Sequence, residues 1–160
     1  MKIKGILVLG LVCSGLFFGS LTYTNASAKY VGHHAIPTEL RGTWSQYRGK
    51  NKFFVIKITK NNLYVNSKLT YSTKKSGANK VFIQSLSKKV THGSGVSYIL
   101  NGHYKYEYQT FGEFWLSKEK VSNRRVLKKY HHMDHYNVFT KNKVKHNYSY
   151  HKDSFKDIGR

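Results

Sequence analysis

From residue 41 onward, apolar side chains recur at every second position in short runs, and clusters of Gly, Asn and charge separate the runs. Alternation of this kind sets one row of side chains on each face of an extended chain, so it predicts half-buried strands. The first strand is expected over 41–47. Arg48-Gly49-Lys50-Asn51 then turns the chain into 52–59, where Phe54, Ile56 and Ile58 share a face. After Lys60-Asn61-Asn62, the stretch 63–71 sets Leu63, Val65, Leu69 and Tyr71 against Tyr64, Asn66, Lys68 and Thr70, and reads as one antiparallel strand. Loops at 72–79 and 87–95 flank a strand over 80–86. Further short strands are expected at 96–101, 104–111, 113–117, 124–130 and 136–140, with Asn101-Gly102 as a hairpin turn and 118–123 as a charged turn. There is no internal repeat and no apolar stripe of helical period about twelve residues long. The expected fold is therefore all-β: a single antiparallel β-barrel of about eight short strands, or two packed sheets if the barrel does not close.

Residues 1–28 have a different pattern. A basic start (Lys2, Lys4) precedes an apolar run from Gly5 to Leu21 and a polar end, Ala26-Ser27-Ala28. That is the layout of a signal peptide cleaved after Ala28, and glycines at 10, 15 and 19 argue against an uncleaved anchor. Cys13, the single cysteine, would leave with the leader, which excludes disulfides, thiol catalysis and cysteine-bound zinc in the mature chain. The expected organisation is a leader at 1–28, a domain at 29–140 and a basic, mobile tail at 141–160, with room for one edge strand and no transmembrane segment after cleavage.

Charge changes the picture most. The chain has 28 Lys and Arg against 7 Asp and Glu, a formal charge of +21 that falls to +19 without Lys2 and Lys4. All nine histidines stay with the mature chain, so acidification through their usual range near 6.5 would add to the charge. A secreted protein with such a field is drawn to polyanions such as cell-wall polymers, with simple solubility as the alternative reading. Three groupings could carry chemistry. Lys74, Lys75 and Lys80, Lys88 and Lys89, Arg124, Arg125, Lys128 and Lys129, then Lys141, Lys143 and Lys145 would form one basic patch if their loops gather at one end. Tyr104, Tyr106 and Tyr108 would form a row of rings able to stack sugars or bases, although a packed face is the preferred reading. His131 and His135, around Asp134, are the weak metal candidates, with His103 or His146 as a further ligand; an exposed titrating loop is preferred and no cofactor is expected.

The run Pro37-Thr38-Glu39-Leu40-Arg41-Gly42-Thr43-Trp44 resembles the opening of lipocalin-type barrels, where a short turn leads into Gly-x-Trp at the start of the first strand. The resemblance implies structural roles: Gly42 would permit close packing and Trp44 would close the barrel floor. It also implies an arginine over the indole from the last strand, where this chain offers Lys141. The overall plan is similar to small secreted proteins of lactic acid bacteria, which implies export and no activity.

No recognisable acid and base pair, nucleophile motif or phosphate loop is present, so an enzyme is not expected. The leading expectation is a secreted or wall-associated binding protein held electrostatically to anionic envelope polymers, with no specific nucleic-acid target. The alternatives are a lipocalin-like carrier of a small apolar ligand and a cationic antimicrobial or toxin.

Overall fold

A computed structural model of the protein describes residues 29–30, 35–86, 95–101, 111–153 and 159. The leader and the row Tyr104, Tyr106 and Tyr108 lie outside the described residues. Strand β1 (Lys29–Tyr30) precedes a single 3-10 turn at Thr38–Leu40, and the alternating runs then form β2 (Gly42–Tyr47), β3 (Phe53–Ile58), β4 (Asn62–Val65) and β5 (Lys68–Ser72). These four pair antiparallel in sequence order as one sheet. The second sheet contains β6 (Phe82–Leu86), β7 (Ser97–Asn101), β8 (Gly112–Val121), β9 (Arg124–Tyr130), β10 (His135–Phe139) and β11 (Tyr150–His151), with β1 on the outer edge of β6.

Three boundaries differ from the sequence reading. The stretch 63–71 is a hairpin, because Asn66 and Ser67 take positive φ (45° and 68°) and reverse the chain, while Asn66 Oδ1 accepts Val55 N–H at 2.9 Å. The expected charged turn at 118–123 shrinks to Ser122-Asn123, since β8 continues through Lys118-Glu119-Lys120 after a shift in its pairing with β9. Residues 141–153 are held to both sheets instead of extending as a free arm: Lys141 and Lys143 stand over Trp44 of β2 and Phe53 of β3, β11 pairs with β10, and Gln46 of β2 donates to both Asn137 of β10 and Ser149 of the tail.

The two sheets meet at two isolated bridges, one antiparallel between Ser45 and Thr140 and one parallel between Ser72 and Lys80. Among the described residues no continuous ladder closes them into a barrel. Between them lies one core: Ile36, Leu40, Trp44, Ile56, Ile58, Leu63, Val81, Ile83, Leu100, Phe114, Leu127 and Phe139 are all buried. A smaller cluster, Trp115 and Tyr136 with Tyr130 and Tyr150 against them, includes the ring that the tail folds back onto the sheet. Alternation along β8 explains the division, since Phe114 and Trp115 must face opposite sides.

Candidate functional site

The end of the molecule where β2 begins is built around Trp44. The 3-10 turn at Thr38–Leu40 aims the Leu40 carbonyl at the indole, which donates to it from Nε1 at 2.8 Å. Arg41 folds back on the same turn, donating from Nε and Nη2 to the Ile36 carbonyl at 2.9 and 2.7 Å. Lys141, just past β10, places its Nζ 3.7 Å from the Trp44 ring centre and donates to the Arg41 carbonyl at 2.9 Å. Gly42 makes that approach possible: it holds φ at +131°, and a Cβ there would stand 2.0 Å from the Lys141 amine. Burial, and then Arg124 nearby, holds the Lys141 amine below the usual lysine range. Beside this arrangement opens a cleft of about 410 Å³ lined by Glu39, Trp44, Leu116, Arg124, Arg125 and Lys141. Tyr98 donates across the same end to Glu39, and burial together with that carboxylate pushes its phenol above the usual tyrosine range.

The basic residues singled out from the sequence do not form a single patch. Because β10 is antiparallel to β2 at Ser45 and Thr140, β10 ends and β9 begins at the Trp44 end. Thr73 N–H donates to Asn61 O, tying the loop after β5 to the turn after β3 at that same end. Lys74, Lys75 and Arg124 therefore lie at the same end of the strands, all exposed, and of the three Arg124 lines the cleft. Arg125 shares the cleft, but its guanidinium is occupied by the Ser117 and Leu116 carbonyls where β8 shifts register. Lys128 and Lys129 are a correction. They lie about 13 Å farther along β9 at ~3.3 Å per residue, and on opposite faces. Lys128 is fully buried, 2.7 Å from Glu119 Oε2 and bonded to the Tyr150 hydroxyl at 2.9 Å. Lys129 rests over Phe111 and Phe114, 4.7 and 5.6 Å from their ring centres, and burial with Arg48 nearby holds its amine below the usual range. Lys88 and Lys89 lie outside the described residues.

With few carboxylates available, aromatic faces take over part of their role. Besides the lysines above, Lys143 stands 5.6 Å from the Phe53 ring centre, Lys57 5.9 Å from Tyr64 and Lys80 5.7 Å from Phe82. Each such contact contributes ~0.5–2 kcal/mol depending on how dry it is. A test of buried cationic charge follows at Lys128. Burial lowers its pKa most, the Glu119 carboxylate pulls it upward, and Lys152 adds a smaller push down. The unfolded chain thus keeps this proton to higher pH than the folded one, so stability contributed here rises as pH climbs toward the ordinary lysine range. Lys128→Met should change stability at neutral pH by about 1 kcal/mol or less, because volume is kept and Glu119 is free to turn to solvent. From about pH 8 to about pH 10 the parent protein should gain relative to the variant in urea denaturation; a difference that stays flat or shrinks contradicts the assignment.

The histidines named from the sequence sit at the opposite end, on the hairpin joining β9 to β10. Met133 and Asp134 take positive φ (44° and 59°), and His131 N–H bonds to His135 O at 2.9 Å. His131 pairs with His132, ring centres 4.0 Å apart, while His135 faces His151 of β11 at 4.9 Å. Burial, followed by His132, Lys129, His135 and Arg48, holds the His131 imidazole below its usual range. A cleft of about 400 Å³ runs along this edge, lined by His131, His132, His135, Tyr136, Asn137, Ser149, Tyr150 and His151. His146, suggested as a further ligand, instead meets Tyr148 edge-on, ring centres 4.5 Å apart, and His103 lies outside the described residues. The residues missed are His151 and Asp153, which only the pairing of β11 with β10 brings alongside. Compared with known protein families, curated proteins and solved structures, the chain shows no significant match.

Proposed function

We propose that the protein is a secreted or cell-wall-associated basic binding protein, a lipocalin-like barrel in plan, whose Trp44 end holds it to anionic envelope polymers. The observation that carries this reading is the cleft beside Trp44, lined by Arg124, Arg125 and Lys141, with exposed Lys74 and Lys75 at the same end of the strands, in a chain of formal charge +21. Each phosphate or carboxylate neutralised there releases counterions, so affinity comes mainly from charge and falls steeply with salt.

The barrel plan draws support from the two bridges. Strands β2 to β10 number nine, and an odd ring cannot alternate direction all the way round; the parallel bridge at Ser72 and Lys80 is where that mismatch falls. Lys141 over Trp44 occupies the place that the resemblance gives to an arginine. The carrier alternative draws less support, since Trp44, Ile56, Leu63, Ile83, Leu100 and Phe114 fill the space between the sheets.

Retention on purified cell walls tests the reading. Bound protein should fall at least about tenfold between 50 mM and 500 mM salt, a range over which the Debye length shrinks from ~14 to ~4 Å. Replacing Lys74, Lys75 and Arg124 together with alanine should weaken retention more than replacing Lys50, Lys52 and Lys68, which lie at the other end, the first two between β2 and β3 and the third at the start of β5. Retention indifferent to salt, or equal losses in the two triple variants, would overturn it.

A further inference from the structure

The hairpin turn before β10 and the return of the tail as β11 bring Asp134, His151 and Asp153 together, with one ligand atom from each within 4.8 Å of the others. Backbone pairing fixes the arrangement. Lys152 N–H donates to Asp134 O at 3.0 Å, and the strand register sets His135 opposite His151. His151 Nδ1 already lies 3.3 Å from Asp153 Oδ1. The composition sharpens the observation: the chain has only 7 acidic residues against 28 basic ones, and two of the seven converge on one imidazole.

We propose that Asp134, His151 and Asp153, with His135 beside them, form a site for a divalent transition cation of the Zn²⁺ or Cu²⁺ type. One imidazole nitrogen and two carboxylate oxygens, with a second imidazole within reach, match the mixed N and O donors such ions take at about 2.0–2.2 Å. Ca²⁺ prefers six to eight oxygens, which a set centred on imidazole does not supply. Donor atoms in a tetrahedral zinc site stand about 3.3 Å apart, so these side chains, His151 and Asp153 being exposed, close the remaining distance by small rotations. The two ends of the set come from the β9–β10 turn and the tail, so a bound cation clips residues 151–153 onto β10. His131, paired with His132, takes no part.

Titrating ZnCl₂ into the full chain at neutral pH by calorimetry should show one equivalent bound. His151→Ala and Asp153→Asn should each weaken that binding at least about tenfold, since the loss of even an outer hydrogen-bond partner of a metal ligand typically costs that much, while His146→Ala leaves it unchanged. Zn²⁺ should also slow tryptic cleavage within the tail of the parent protein and not of Asp153→Asn, a readout independent of the heat of binding. Absence of binding by the parent chain, or undiminished binding by His151→Ala, removes the site. Circular dichroism of the two variants confirms that the comparison is between folded proteins.

Discussion

Replacing Trp44 with alanine is expected to lower folding stability by about 3–5 kcal/mol, the range for emptying a large aromatic site in a core that relaxes only in part. The indole is completely buried, and its removal does more than leave a void. The Leu40 carbonyl loses the Nε1 donor that fixes the turn before β2, and the Lys141 amine loses the ring face it rests on. Trp44→Phe separates these effects. It keeps a ring beneath Lys141 and drops the hydrogen bond, so about 1–3 kcal/mol should be lost through the unpaired buried carbonyl and the smaller volume. Urea denaturation followed by the fluorescence of Trp115, the other tryptophan, measures both. A loss of less than about 1 kcal/mol for the alanine variant would mean that the two sheets are held together elsewhere.

Gly42→Ala should cost about 2–3 kcal/mol, a large effect for one methyl group, with two separable origins. The first is backbone strain: φ of +131° is a region that residues with a Cβ occupy at a cost of order 1–3 kcal/mol. The second is the collision with Lys141 Nζ. An amine at the end of a flexible chain moves aside easily, but in doing so it gives up the Trp44 face and the Arg41 carbonyl. A double-mutant cycle with Lys141→Ala distinguishes them. If displacement of Lys141 matters, Gly42→Ala should be milder by about 1 kcal/mol in the Lys141→Ala background. Strict additivity would assign the whole cost to the backbone.

The parts of this structure legible in the sequence are those with local causes. Alternation and turn residues placed β2, β3, β6, β7, β9 and β10, while a structural role for Trp44, which is buried, was only what the resemblance of 37–44 implied. The hairpin at Asn66 and Ser67 escaped for a definite reason: the turn itself reverses the parity, setting Val65 opposite Lys68 and Tyr64 opposite Leu69, but the irregularity between Leu63 and Tyr64 brings Leu63 back opposite Tyr71, and the even spacing of 63, 65, 69 and 71 gives no sign of either. The extension of β8 escaped because Lys118, Glu119 and Lys120 are exposed and polar, so no hydrophobic pattern marks them as strand. Lys128 and Lys129 read as surface charge because their actual surroundings, Glu119, Tyr150, Phe111 and Phe114, come from other strands and the tail. The same holds for His151 and Asp153, whose meeting with Asp134 depends on where the tail returns to the sheet.

The docked tail changes what kind of charged object this protein is. A flexible cationic brush samples many directions and adapts to any anionic surface. Here Lys141 is seated on Trp44 and Lys143 stands over Phe53, and Ser149 bonds to β2 and β10 at once, so the positive charge of that stretch is set into a solid body. A rigid charge distribution has a preferred orientation in an external field, and a surface that attracts the protein also decides which of its faces is turned outward.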